Sequence, residues 1–387
     1  MPGHRALRDL SERFVLYAEQ VYGSYSPLNA ALSLAVANDQ RLLGMLCEGP
    51  LRGRDPNLFL AALQYLVMGG TDHPLGELYR GARANSALGS TLYDFCKSHL
   101  SELFELLGSR WVQTNEVGRA PALAAAVAEA SVTLGGRVAL VDAGAAAGLN
   151  LCLDRFRLVY RRNGLEEVVG AGPKGALRIG CRVGGGGFEV RPLPHIALRV
   201  GLDRSPLDLG NPLDRRWLLA CTWPGSGRQG RLRAAMDQVG ADQPQVRRRE
   251  LLQGLREVLE ELEPLPTVVV TAWSVSYLSP QARNQLVELL ARFARRRPLA
   301  WVYADSVGCP PVFVPPCAHQ VPTWPKAPKP GWLGLGLWRA GRLEGRLLAS
   351  MHPHGDWMRW RGWLSDLERH QPRPGSPSTL RRFFSSQ

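Results

Sequence analysis

Val138-Ala139-Leu140-Val141-Asp142-Ala143-Gly144-Ala145-Ala146-Ala147-Gly148-Leu149-Asn150-Leu151 is the stretch that decides the fold. An apolar run that ends in an acid and continues into a turn of small residues is how a parallel strand hands over to a helix in a nucleotide-binding α/β sheet. Gly144 and Gly148 are separated only by alanines, so backbone N–H groups of the turn are expected to come close to a ligand, with the N-terminus of a helix at about Asn150 to Phe156 behind them. Ala146 stands where the dinucleotide fingerprint keeps its middle glycine. The same turn also serves where a strand merely packs tightly against a helix and binds nothing.

The pattern Asp142-x-Gly144-x-x-x-Gly148 resembles the first motif of S-adenosylmethionine-dependent methyltransferases more than that of a dehydrogenase. Three runs, Gln113-Thr114-Asn115-Glu116-Val117-Gly118-Arg119, Ala143 to Leu151, and Gly201-Leu202-Asp203-Arg204-Ser205-Pro206-Leu207-Asp208-Leu209, together resemble an uncharacterised bacterial family, domain of unknown function 2332, from about Arg13 to about Trp363. That resemblance brings no established reaction with it. It implies a Rossmann-like, methyltransferase-type α/β core.

Working outward from the turn, apolar residues recur at helical spacing from Leu7 to about Leu107, broken at Pro27 and Pro50. Residues 1–110 are therefore expected to form an all-helical N-terminal domain or lid. Leu58 to Met68 is too evenly apolar for a surface helix and is expected inside. Residues 111–371 are expected to form the Rossmann-like domain, with a β insertion over 157–192 marked by short alternating runs (Arg157–Arg161, Leu177–Arg182, Gly187–Arg191) around Asn163-Gly164 and Gly184 to Gly187. Further strands are read at His195–Leu202, Thr267–Trp273 and Leu299–Ala304, the last two preceded by helices at Glu250–Leu262 and Gln281–Arg295. A terminal antiparallel hairpin follows at Gly331–Arg339 and Arg342–Ser350, and residues 372–387 read as a disordered tail.

At 387 residues and 45% apolar content the chain can bury a substantial core. No run of 18 apolar residues suggests a membrane span and no signal-peptide core is visible, so a cytoplasmic protein without membrane attachment is expected. Seven scattered cysteines contain no Cys-x-x-Cys pair, which argues against a disulfide framework or a zinc site. The net charge of +13 comes almost wholly from arginine, with triplets at Arg247–Arg249 and Arg295–Arg297. A nucleic-acid partner rests on that charge alone, since no recognised nucleic-acid module accompanies it.

Ligands of an open α/β sheet lie beyond the carboxyl ends of the strands. The candidate cofactor-binding residues are accordingly Asp142, Gly144, Ala146, Gly148 and Asn150 around the turn, and Asp203 at the end of the next strand as acceptor for ribose hydroxyls. Glu166 and Glu167 compete for that last role by distance in sequence. Asn115, Glu116 and Arg119 are expected to close the site from the helical side, facing the Gly144 turn. A helix cap by Thr114 and a Glu116–Arg119 pair are the plainer explanation of that segment. Candidate catalytic residues are Ser274 and Tyr277 for substrate contact and His354 as general base; no metal site is expected, because His352-Pro353-His354 lacks further ligands nearby in sequence. The leading expectation is S-adenosylmethionine-dependent methyl transfer to a small-molecule acceptor. The alternatives are a nicotinamide-dependent oxidoreductase and a non-catalytic nucleotide-binding or interaction module whose basic surface meets an acidic partner.

Overall fold

Strand β1 (Arg137–Ala143) is buried along its whole length after Arg137, as a strand covered on both faces must be. In the computed structural model, which describes residues 3–23, 25–81, 86–169, 175–225, 227–262, 265–306, 330–339 and 342–360, β1 pairs in parallel with β5 (His195–Asp203) on one side and β7 (Thr267–Ala272) on the other. Beyond β5 lies the short β6 (Val246–Arg248), and beyond β7 lies β8 (Leu299–Ser306), both parallel to their neighbours. The sheet continues through the antiparallel hairpin β9 (Gly331–Arg339) and β10 (Arg342–Met351) to β11 (Trp357–Trp360). The insertion strands β2 (Arg157–Arg162), β3 (Leu165–Val169) and β4 (Arg178–Gly185) complete it, giving eleven strands in the order β3-β2-β4-β11-β10-β9-β8-β7-β1-β5-β6.

Period-two alternation sorts the sheet's side chains between two cores. Val138 and Leu140 of β1, Val268 and Val270 of β7, and Ala300 and Val302 of β8 face one core. Val141, Val269, Trp301 and Tyr303 face the other. Helices α11 (Leu251–Glu261) and α12 (Pro280–Ala294) cover the second face. The first is covered by α8 (Ala120–Leu134), α9 (Pro212–Ala220), α10 (Arg228–Val239) and the N-terminal helices: α1 (His4–Tyr17), α2 (Pro27–Ala37), α3 (Gln40–Glu48), α4 (Pro56–Met68), α5 (Pro74–Tyr79), α6 (Leu88–Ser98) and α7 (Leu100–Ser109). A single apolar cluster runs from Leu10 of α1 to Trp360 of β11, so the N-terminal helices share their core with the sheet. The evenly apolar α4 is buried almost all round, from Leu58 to Tyr65, and Asp55 caps it by accepting from the Asn57 N–H at 2.8 Å. The result is a mixed α/β fold on a largely parallel sheet.

Two expectations are corrected. The segment after the glycine turn is a 3-10 stretch, Leu149–Arg155, kinked at Cys152, and no α-helix presents its dipole there. The insertion forms β2, β3 and β4, with no strand at Gly187–Arg191, and it extends the common sheet at its far edge, where β4 runs parallel to β11. Glu166 therefore sits on β3 at the opposite end of the sheet from β5, paired with Arg161 and Arg178. The proline-rich segment before β9 lies outside the described residues except for Pro330, and the C-terminal tail at 372–387 lies wholly outside them. No described helix is long and apolar enough to cross a membrane, and the five described cysteines are unpaired.

Candidate functional site

A cavity of about 550 Å³ opens at the carboxyl ends of β1, β5 and β7. This is where β1 has neighbours on both sides and the chain order reverses, the switch point at which open α/β sheets take their ligands. Gly144, Ala146, Leu202 and Asp203 form one side, and Ala272, Trp273, Ser274 and Tyr277 another. The helical layer closes the third side through Arg13 of α1, Leu51 and Arg52 of the turn after α3, and Asp55 and Leu58 at the start of α4. Ala146 (φ 51°) and Trp273 (φ 55°) both hold the left-handed backbone conformation that bulky residues avoid, and such strain collects at functional sites.

Every N–H of the glycine turn is already occupied by the protein. Those of Gly144 and Ala145 donate to the Leu202 carbonyl at 2.8 and 2.9 Å, and that of Gly148 donates to the Ala145 carbonyl at 2.7 Å. The Ala146 N–H donates to Asp203 Oδ2 and the Ala147 N–H to Asn115 Oδ1, each at 2.8 Å. The turn therefore has no amide free for an anion, contrary to the expectation from its sequence. Gly144 has φ +100°, and a Cβ there would lie 2.5 Å from Ser274 Cβ, so only glycine lets the turn and the end of β7 meet.

Asp203 reaches the cavity from the end of β5 with most of its acceptor capacity spent. Oδ1 accepts from the Ser205 N–H at 2.8 Å and from Gln113 Nε2 at 3.2 Å, while Oδ2 accepts only from Ala146. A carboxylate offers about four lone-pair positions, which leaves one on Oδ2. Asp142 does not line the cavity. It is fully buried, accepts from Asn150 Nδ2 at 3.2 Å through Oδ2, and leaves Oδ1 without a hydrogen-bond partner. Burial, reinforced by the nearby Asp203 charge, pushes its carboxyl up to about 7 against the smaller opposing effect of Asn150. Gly148 and Asn150 are likewise behind the cavity wall.

The Asn115–Arg119 segment divides between two places. Asn115 clamps the turn, accepting from Ala147 and donating to the Ala145 carbonyl at 3.0 Å. Glu116 and Arg119 do not line the cavity, which corrects the expectation that they face the Gly144 turn. Glu116 is the cap in place of Thr114, accepting from the Gly118 N–H at 3.0 Å, and it is ion-paired to Arg228 at 2.5 Å and Arg231 at 3.1 Å. Burial alone would raise the Glu116 carboxyl, but Arg228, His354 and Arg231 outweigh it and hold it well below the usual range. Arg119 donates from Nε to the Pro353 carbonyl at 2.6 Å and stacks 3.8 Å from the centre of the Trp273 ring, behind the cavity wall.

His354 belongs to this second cluster. Its Nδ1 lies 3.4 Å from Glu116 Oε2, its ring packs on Tyr25, Trp223 and His352, and burial is the main influence pushing it down to about 4. It is neutral at neutral pH and does not line the cavity, so the site gives it no route to a substrate proton. Ser274 and Tyr277 do line it. The Ser274 hydroxyl donates to the Ala143 carbonyl at 2.7 Å, whereas Tyr277 is 79% exposed at the mouth. The sequence reading missed Arg13, Arg52 and Trp111, which lie far from the turn in sequence, as well as Trp273. Only Trp273 carried a local signal, standing next to Ser274 at the end of an apolar strand.

No curated protein matches the chain in sequence. A family described as an uncharacterized protein conserved in bacteria (DUF2332) matches residues 11–360, nearly the whole chain and every strand of the sheet. The chain belongs to that family, domain of unknown function 2332.

Proposed function

We propose that the cavity binds S-adenosylmethionine and that the protein transfers its methyl group to a small-molecule acceptor entering past Tyr277. The observation that carries this reading is the saturated turn at the switch point. A dinucleotide places its pyrophosphate on free amides and a helix N-terminus. This turn has neither, so it suits a cofactor without phosphate that needs close approach and a hydroxyl acceptor. The antiparallel β9 beside β8 also departs from the all-parallel order of a dinucleotide-binding sheet.

The residues present fit such a group. The cavity has the size of a small-molecule site. Asp203 Oδ2 has one position left to accept from a ribose hydroxyl, and Gly144 lines the cavity beside it. When bound, S-adenosylmethionine supplies an electrophilic methyl on a sulfonium centre. The chain's own part is to align the acceptor and exclude water, contributions worth several kcal/mol in such reactions without an acid–base pair. Trp273, backed by Arg119, forms a rigid wall, and Tyr277 borders the entrance.

Calorimetric titration tests the reading. S-Adenosylmethionine is expected to bind the wild type, and Asp203→Ala is expected to weaken it by about 1.5–3 kcal/mol, the range for a hydrogen bond to a charged group. Glu166→Ala, at the far edge of the sheet, is expected to leave it unchanged. Absence of binding to the wild type contradicts the proposal.

A further inference from the structure

We infer that the helical side of the cavity recognises a phosphate group on the acceptor, held by Arg13 and Arg52. The inference rests on the methyl-transfer reading only in calling the carrier of that phosphate the acceptor. Four arginines line the cavity, and two of them are satisfied: Arg204 pairs with Glu250 at 3.1 Å and Arg249 with Glu257 at 2.6 Å. Arg13 and Arg52 have no carboxylate within ion-pair distance among the described residues. Each makes one long hydrogen bond, at 3.4 Å, to the carbonyls of Arg54 and Arg110 respectively.

Arg52 is also held in place by a stacking contact that uses none of its donors. Its guanidinium lies over the Trp111 ring at 4.3 Å, and Arg204 stacks on the same ring at 4.6 Å. Stacking fixes the plane of a guanidinium while leaving its fork of N–H groups free, which is the arrangement suited to bidentate contact with a phosphate. Asp55, the acid on this side, is engaged as the cap of α4; burial pushes its carboxyl up, against the smaller opposing effects of the cap hydrogen bonds and the Arg13 charge. The glycine turn has no free amide. Two guanidiniums in one cavity without an ion pair among the described residues match a dianion in charge.

Inorganic pyrophosphate, titrated calorimetrically into the full chain at physiological ionic strength, is the probe. The expected result is saturable binding that falls at least tenfold in Arg13→Gln and in Arg52→Gln. It is expected to be unchanged in the double variant Arg295→Gln, Arg296→Gln, on the exposed end of α12, and unchanged by saturating S-adenosylmethionine. Should Arg52→Gln fail to fold, Arg13→Gln, on an exposed position of α1, decides the same question. The inference is overturned if the wild type does not bind, if the α12 variant loses as much as the cavity variants, or if acetate binds as tightly as pyrophosphate. Competition with S-adenosylmethionine also overturns it, by giving the arginines to the cofactor's own carboxylate. If S-adenosylmethionine itself fails to bind, the methyl-transfer reading falls while the pyrophosphate result still decides the anion site.

Discussion

Gly144 and Asp142 show how much of a site one residue can decide. A Cβ at position 144 meets Ser274 Cβ, and the backbone there is left-handed, so a side chain is penalised twice. Gly144→Ala is expected to lower stability by about 2–4 kcal/mol in urea unfolding, from the unfavourable φ and the overpacking together. Ser274→Gly in the same chain is expected to restore the steric part only; no recovery would mean that the contact with Ser274 is not the cause. Asp142 carries the opposite kind of cost. Its carboxyl is raised to about 7 by burial, so the native state holds a proton that the unfolded chain releases near 4. Its contribution is fully present below that lower value and is lost as pH rises through about 7. Asp142→Asn is therefore expected to match the wild type near pH 4 and to exceed it by a few kcal/mol near pH 8. An equal difference at both pH values would show that the carboxyl does not titrate in this way. Of the site, the sequence made Gly144, Asp203, Ser274 and Tyr277 legible, because each stands at the end of an apolar strand. Arg13, Arg52 and Trp111 were not legible, since only the packing of the helical layer brings them to the sheet.

Strands with a clear pattern could be read almost to the residue: β7, β8 and the β9–β10 hairpin begin where their apolar runs begin. The short β6 and β11 escaped, because three or four residues carry no periodicity of their own. The helix expected after the glycine turn became a 3-10 stretch, where the turn's amides were drawn to Leu202, Asp203 and Asn115. Local pattern gives no hint of such long-range partners. The same holds for the loop between β10 and β11, which docks on the start of α8 so closely that a Cβ on Gly118 would lie 2.2 Å from the His354 carbonyl oxygen. Glu116 fastens this junction to α10. Glu116→Gln leaves the buried Arg228 and the half-buried Arg231 without their carboxylate and is expected to cost about 3–5 kcal/mol at neutral pH. Because the carboxyl is held below its ordinary range, its contribution is present above that range and lost as pH falls, so the gap from wild type should narrow in acid. Thermal unfolding at pH 7 and pH 4 checks this; a gap that widens in acid would contradict the assignment.

At the scale of the molecule, one sheet joins a parallel half that carries the cavity to a mixed half built from the insertion and the terminal hairpin, and the helical N-terminal region seals the cavity from above. The α/β class, the β insertion and the helical region could be read from the sequence. The joining of the insertion to the far edge could not, because it depends on the parallel pairing of β4 with β11, strands far apart in the chain. The central claim is that this architecture holds S-adenosylmethionine and not a dinucleotide, and thermal unfolding of the full chain with each ligand tests it most directly. A ligand at about 100 times its dissociation constant stabilises the folded state by roughly 2.7 kcal/mol. The account predicts a higher melting temperature with S-adenosylmethionine and no rise with NAD; a rise with NAD alone would contradict it.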